Sequence, residues 1–203
     1  MMAFLSKGGV LVVPILCCSI IVVTIFFERL IRYAVNRTRG KDIERKVAGM
    51  VRQGQMDQAM AMAEQSRSPM GRVLARAVSA AHLDRNTLDT VIVNATDREV
   101  RDLSSYLQTL ATIGNIAPLL GLLGTIIGMI KAFMVIQQMG GKVNAAVLAG
   151  GIWEAMLTTA FGLAVALPTM VAHSYLISRV DQYESRLQNG AVLFLKALAG
   201  KEG

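Results

Sequence analysis

The sequence predicts an all-α membrane protein with three transmembrane helices, long helices that extend into the cytoplasm and a small cytoplasmic helical domain. Hydrophobic residues make up 53% of the 203-residue chain, which is too apolar for an ordinary soluble domain of this size. The charged residues are spread unevenly and leave three long windows almost free of charge. The segment between the first two windows shows helical periodicity and no convincing strand alternation.

The first transmembrane helix is predicted over residues 8–27, a run without any charged residue. About 20 residues of helix are needed to cross a hydrocarbon core about 30 Å thick. A cleaved secretory signal is the competing interpretation. However, the run is longer than the apolar part of a signal, and Glu28 and Arg29 follow it instead of a small-residue cleavage site. Residues 1–7 are then predicted to form a periplasmic N-terminal tail.

The second and third transmembrane helices are predicted over residues 111–138 and 146–177. Both windows are longer than a membrane crossing requires, so we expect these helices to tilt or to continue into water. Each window holds one ionisable residue of consequence, Lys131 in the second and Glu154 in the third. A short periplasmic loop, residues 139–145, is predicted to join the two helices.

Basic residues set the predicted orientation of the chain. Cations within about 20 residues of the end of a span mark the cytoplasmic side. Seven follow the first span: Arg29, Arg32, Arg37, Arg39, Lys41, Arg45 and Lys46. The N-terminus is therefore predicted to be periplasmic and the C-terminus cytoplasmic. Residues 28–110 become a cytoplasmic helical domain, and residues 178–203 become a cytoplasmic C-terminal tail.

The remaining composition argues against several classes of function. The net charge of +7 is expected from basic segments beside an anionic membrane, so no nucleic-acid partner is predicted. The sequence contains no Walker loop, no HExxH, no GxSxG and no cysteine cluster. We therefore predict neither an enzyme active site nor a metal or cofactor site.

Small residues follow one stripe of the second transmembrane helix. They are separated by steps of three, four, three and four positions: Gly114, Ala117, Gly121, Gly124 and Gly128. Such a stripe lets another helix approach closely, because helix association in lipid depends on the packing of small residues. The general abundance of glycine in membrane helices does not explain this spacing. In the same helix, Pro118 lacks a backbone donor and predicts a helix break.

Glu154 is the only acidic residue predicted at membrane depth. It lies nine residues after Ala145, which is about 13 Å along a helix axis. An acidic residue near the bilayer centre costs about 2.5–3.5 kcal/mol, so it should face a bundle interior or a water-filled cavity. Thr158 lies one turn further on the same side, and Thr159 is rotated by about another 100°. A protonated Glu154 that only fixes helix packing is the structural alternative.

Two segments of the sequence resemble the signature of the ExbB/TolQ/MotA family of proton-driven stator channels. They are GNIAPLLGLLGTIIGMIKAF in the second span and GGIWEAMLTTAFGLAVALP in the third. The three-span arrangement with a large first cytoplasmic loop resembles the ExbB/TolQ branch more closely than the four-span MotA branch. The resemblance implies a non-enzymatic proton channel or stator subunit in the bacterial inner membrane, without a cofactor.

The resemblance also implies the pore residues and the partners. Thr125, Glu154 and Thr159 match positions that line the central pore in the family, whereas the helical count favours Thr158 beside Glu154. The implied assembly is a homopentamer around single-span helices of an ExbD- or TolR-like partner, whose membrane aspartate takes and releases protons, and it acts on a TonB- or TolA-like transducer. Outer-membrane transport, envelope maintenance, motility and a passive oligomeric scaffold remain open as functions.

Overall fold

The computed structural model describes residues 11–39, 42–138 and 145–200, and these residues are almost entirely α-helical. The helices are α1 (Val12–Arg39), α2 (Ile43–Arg52), α3 (Met56–Gln65), α4 (Pro69–Ser79), α5 (Arg85–Ser104), α6 (Leu107–Gln138) and α7 (Ala145–Ala199). No strand occurs in the described ranges. The prediction of an all-α protein is thereby confirmed.

Three helical stretches are long and apolar enough to cross a membrane: Val12–Asn36, Arg85–Gln138 and Leu148–Ala199. Their number agrees with the three predicted transmembrane helices. The exact membrane boundaries stay predictions, and the predicted N-terminal tail and nearly all of the periplasmic loop lie outside the described residues. By contact density the chain forms two compact units, residues 11–27 with 106–175 and residues 28–105 with 176–200.

The helix before the second span ends earlier than the sequence predicts. The start signals at Asn86 and Thr87 and the alternating charges that follow predict one long helix that continues into the second span, yet α5 ends at Ser104 and α6 begins at Leu107. Between them Tyr106 has a φ of 64°, a left-handed conformation that interrupts helical hydrogen bonding and is rare for a bulky residue. The interruption therefore lies at the junction of α5 and α6.

Side chains of α1 hold the end of α5. The guanidinium of Arg29 donates to the carbonyl oxygens of Asp102 at 3.2 Å and Leu103 at 3.5 Å. The hydroxyl of Tyr33 donates to the same Leu103 carbonyl at 2.8 Å. The last carbonyls of a helix have no intrahelical donors, and a cation there also interacts favourably with the helix dipole. These bonds stabilise the end of α5 at Ser104.

The predicted helix break at Pro118 is wrong. Helix α6 runs from Leu107 to Gln138 with Pro118 in its interior. Proline removes a single N–H donor from the ladder, and membrane helices tolerate this loss where neighbouring groups compensate for it.

The core of the unit formed by residues 28–105 and 176–200 contains α2–α5 and the last part of α7. Leu74 of α4 and Val47 of α2 are fully buried there, as are Leu187 and Phe194 of α7. The segment predicted as a C-terminal tail is therefore helical up to Ala199 and completes this core. Its apolar side chains recur at helical spacing, which is typical of a packed face.

Gly71 offers a test of this packing. A Cβ at Gly71 would lie 2.5 Å from the backbone carbonyl oxygen of Ala63, whereas a Cβ at Gly49 would meet nothing within 4 Å. We expect Gly71→Ala to destabilise the chain by about 1–3 kcal/mol, as overpacking does. Gly49→Ala, also in a helix, should be neutral or stabilising. Thermal unfolding of the two purified variants checks the prediction, and equal melting temperatures would contradict it.

Asp84 gives α5 a pH-dependent N-terminus. Its carboxylate accepts hydrogen bonds from the Thr87 hydroxyl at 2.7 Å and the Thr87 backbone N–H at 3.0 Å. These two bonds, the hydroxyl first, lower the pKa of Asp84 from its ordinary value of 3.8. A lowered pKa means that the stabilisation is complete above the ordinary value and is lost as the pH falls through the folded value.

We therefore expect the first turn of α5 to open in acid. Amide hydrogen exchange at Thr87, corrected for the intrinsic rate, should be more protected above pH 3.8 than well below it. Asp84→Asn keeps an acceptor for the cap and should remove this dependence. Equal pH dependence in the wild type and the Asn variant would contradict the assignment.

Candidate functional site in the helix pair of the second and third spans

The stripe of small residues on α6 lies against α7 of the same chain. A Cβ added to Gly128 would lie 3.0 Å from the Cβ of Ala155, and one added to Gly114 would lie 3.3 Å from the Cγ of Met170. A Cβ added to Gly124 would overlap the side chain of Thr158. The contacts run in opposite order along the two helices, so α6 and α7 are antiparallel.

Helix α7 carries a matching stripe of small residues that was not among the predicted features. Gly151, Ala155, Thr158 and Gly162 follow each other at steps of four, three and four. A Cβ added to Gly151 would lie 2.6 Å from the Cβ of Ala132, and one added to Gly162 would lie 2.6 Å from the carbonyl oxygen of Ala117. Small residues on both helices therefore bring the two backbones together. The spacing was present in the sequence and is the signal that would have revealed the stripe.

The hydroxyls of Thr158 and Thr159 on α7 donate hydrogen bonds to backbone carbonyls. Thr158 is only 2% exposed, and its hydroxyl donates to the carbonyl oxygen of Glu154 at 2.9 Å. Thr159 donates to the carbonyl oxygen of Gly121 on α6 at 3.0 Å. Thr159 thus joins the two helices directly, and Thr158 fills the space left by Gly124.

Glu154 lies next to the contact between α6 and α7 but does not take part in it. Its side chain is half-buried, and its carboxylate forms no hydrogen bond or ion pair with any described residue. Residues five apart in a helix are separated by about 140° around the axis, so Glu154 and Thr159 face different sides of α7. A carboxyl group left unpaired at membrane depth requires a water cavity or another protein chain beside it.

Thr125 lies on α6 next to the small stripe. It is half-buried, and its hydroxyl donates to the carbonyl oxygen of Leu122 at 2.6 Å. Within one chain, the structure thus brings together the predicted packing glycines, Thr158 and Thr159, and it leaves the carboxyl group of Glu154 apart from them. Over the described ranges, no group of three or more histidine, cysteine or acidic side chains is placed to hold a metal ion.

In an all-α, multi-pass membrane protein, a carboxyl group without a described partner beside a close helix pair is typical of an ion or proton pathway. Residues 65–189 match the MotA/TolQ/ExbB proton channel family. The match covers more than half of the chain, so the chain belongs to this family. The family comprises proton channels and not enzymes.

Named relatives place the chain in the ExbB/TolQ branch. It is 31% identical over 124 residues to an ExbB homolog from Methanothermobacter thermautotrophicus, covering 61% of this chain and 43% of the relative. It is 28% identical over 184 residues to the biopolymer transport protein exbB1 from Vibrio cholerae, covering 89% and 81%. It is 36% identical over 96 residues to the Tol-Pal system protein TolQ from Haemophilus influenzae, covering 47% and 41%. The matches to the first and third relatives thus span less than half of those proteins.

Proposed function

We propose that the chain is a subunit of an inner-membrane proton channel that converts proton-motive force into mechanical work. The observation that carries the proposal is the carboxyl group of Glu154, which stands in an apolar helix without a described partner. Membership of a proton channel family supports a proton pathway at this carboxyl group over a purely structural role.

The proposed assembly is a homopentamer in which the Glu154 side chains face a shared, hydrated axis. A single glutamate per chain spans too short a distance to relay a proton across the bilayer alone. A ring of identical carboxyl groups can pass protons in steps if a mobile carboxylate moves among them. We propose that an ExbD- or TolR-like single-span partner brings this carboxylate to the axis.

The site residues have distinct roles in this proposal. Glu154 takes and releases the proton, and Thr125 lines the pathway on α6. Thr158 and Thr159 act as positioning residues, because their hydroxyls bond the backbone of Glu154 and of Gly121. In this proposal both threonines stabilise the wall of the pore and do not transfer protons.

The work would be done on a TonB- or TolA-like protein in the periplasm, with the N-terminus of this chain periplasmic and its C-terminus cytoplasmic. A membrane potential of 100 mV supplies about 2.3 kcal/mol for each charge moved, so several protons per cycle would drive movement of the partner helices. Similarity to biopolymer transport proteins favours outer-membrane transport as the load. Similarity to TolQ supports envelope maintenance as the second candidate.

Proton flux in reconstituted vesicles tests the proposal. The chain is purified with an ExbD- or TolR-like partner, placed in liposomes with an imposed potential, and followed with an internal pH-sensitive dye. We expect flux from the complex and none from a complex whose partner aspartate is replaced by asparagine. An assembled complex that conducts no protons would contradict the proposal and favour a passive scaffold.

A further inference from the structure

A large groove lies between α4 and α5, with α3 at its side, in the unit that contains residues 28–105. Its volume is about 1370 Å³, larger than the 300–1,000 Å³ typical of small-molecule sites. Ala75, Val91 and Ala95 supply apolar surface in it. The dimensions and the mixed lining suit a segment of a protein, such as one face of a helix.

The groove has an excess of positive charge. Arg72 forms an ion pair with Glu99, and Arg32 forms one with Asp102 at 2.6 Å. Three further arginines line the groove and have no ion pair with any described residue, against one further carboxylate, that of Glu64: Arg76, Arg98 and Arg101. The groove therefore favours an anionic occupant.

The opposite flank of α5 carries a complementary acidic stripe. Asp89, Val93 and Asp97 recur every four residues and are exposed, with Val93 57% exposed. Neither aspartate forms an ion pair with a described residue. The buried face of α5, which includes Leu88 and Ile92, separates this stripe from the groove. One helix thus presents on one side a surface with two aspartates around Val93, flanked one turn beyond its ends by Arg85 and Arg101, and on the other side a cationic groove.

We propose that the acidic stripe of one copy docks into the cationic groove of the next copy. A contact between two different surfaces of the same chain leaves one groove and one stripe free in every open oligomer, so it repeats, and it gives a ring where the rotation from copy to copy closes. The stripe is about 12 Å long and the α5 wall of the groove about 21 Å at 1.5 Å per residue, so the stripe fits lengthwise. The inference deepens the proposed function, because it rests on the ring assembly.

Disulfide cross-linking of the full chain in membranes tests this contact. Cys17 and Cys18 are first replaced by alanine, and the exposed groove residue Ser79 and the stripe residue Val93 are changed to cysteine together. We expect oxidation to give a ladder of covalent oligomers that ends at the closed ring. Chains with only Ser79→Cys or only Val93→Cys should give no ladder.

Charge reversal tests whether opposite charges stabilise the contact between the stripe and the groove. Asp89→Arg with Asp97→Arg reverses the stripe, and Arg76→Asp with Arg98→Asp reverses the groove. We expect each reversed chain to lower the cross-linked fraction about tenfold, since like charges facing each other oppose association. The chain carrying all four changes should recover the ladder. A control with Arg52→Glu and Asp57→Arg, which lie outside both surfaces, should leave it unchanged.

Three outcomes would overturn the proposal. Rings that native mass spectrometry detects but that give no ladder would place the interface elsewhere and leave the proposed function intact. A wild-type chain that forms no oligomer would contradict the proposed assembly as well. If only groove reversal acts and the fourfold variant does not recover, the groove takes another anion, such as a phospholipid headgroup, and the docking proposal is wrong.

Discussion

Glu154→Gln is expected to abolish proton flux while the complex remains assembled. Glutamine has nearly the same shape as glutamate but cannot take up and release a proton. The close contact between α6 and α7 uses glycines, the side chain of Thr158 and the hydroxyl of Thr159, and the hydroxyl of Thr158 donates to the backbone carbonyl of Glu154, which the substitution keeps. The substitution therefore leaves this contact intact. We expect flux in reconstituted vesicles to fall at least about 10²-fold, the scale set by a positioned proton-transfer group.

Glu154→Asp is the matched control, because it keeps a titratable carboxyl group on a side chain shorter by one methylene. It should retain part of the flux and the same oligomer on native gels. Full flux in the Gln variant would remove Glu154 from the proton pathway. Loss of assembly in the Gln variant, with no measurable complex, would instead assign Glu154 to helix packing.

Gly151→Val is expected to prevent the packing of α6 against α7, whereas Gly150→Val should be tolerated. A Cβ at Gly151 would lie 2.6 Å from the Cβ of Ala132, while a Cβ at the neighbouring Gly150 would meet nothing within 4 Å. The two variants add the same side chain at adjacent positions, so helix propensity and hydrophobicity are matched. Overpacking costs about 1–3 kcal/mol, and valine adds two methyl groups beyond the Cβ.

Gly162→Val and Gly124→Leu should behave like Gly151→Val. A Cβ at Gly162 would press on the backbone carbonyl of Ala117, which cannot rotate away, and a Cβ at Gly124 would overlap Thr158. The measurement is the fraction of each purified variant that resists protease in detergent. Equal resistance of the Gly150 and Gly151 variants would show that the small residues are not held in contact.

The number of spans and the packing stripe of α6 were predictable because each depends on a local pattern. A run of twenty uncharged residues predicts a membrane crossing whatever the rest of the chain contains. Small residues at steps of three and four predict a close helix contact in the same way. The partner of this stripe, α7 of the same chain, was not predicted, although Gly151, Ala155 and Gly162 carry the matching pattern.

The end of α5 was not predictable from local sequence. Arg29 and Tyr33 stabilise it from a helix more than 60 residues earlier in the chain, and nothing between Ser104 and Leu107 resembles a helix stop. Similarly, counting along α7 alone places Thr158 near Glu154 but gives no role to Thr159, whose hydrogen bond is made to Gly121 on α6. Contacts between distant segments decide both features.

The most direct test of the account is the water accessibility of position 154 in the assembled complex. In chains without Cys17 and Cys18, Glu154→Cys and Ile20→Cys are exposed to a small, charged thiol reagent that does not enter lipid. Ile20 is 68% exposed and lies in the uncharged run of α1, so we expect it to face lipid. We predict that the cysteine at position 154 reacts and the one at position 20 does not. An unreactive cysteine at position 154 in an intact oligomer would contradict a hydrated proton axis at Glu154.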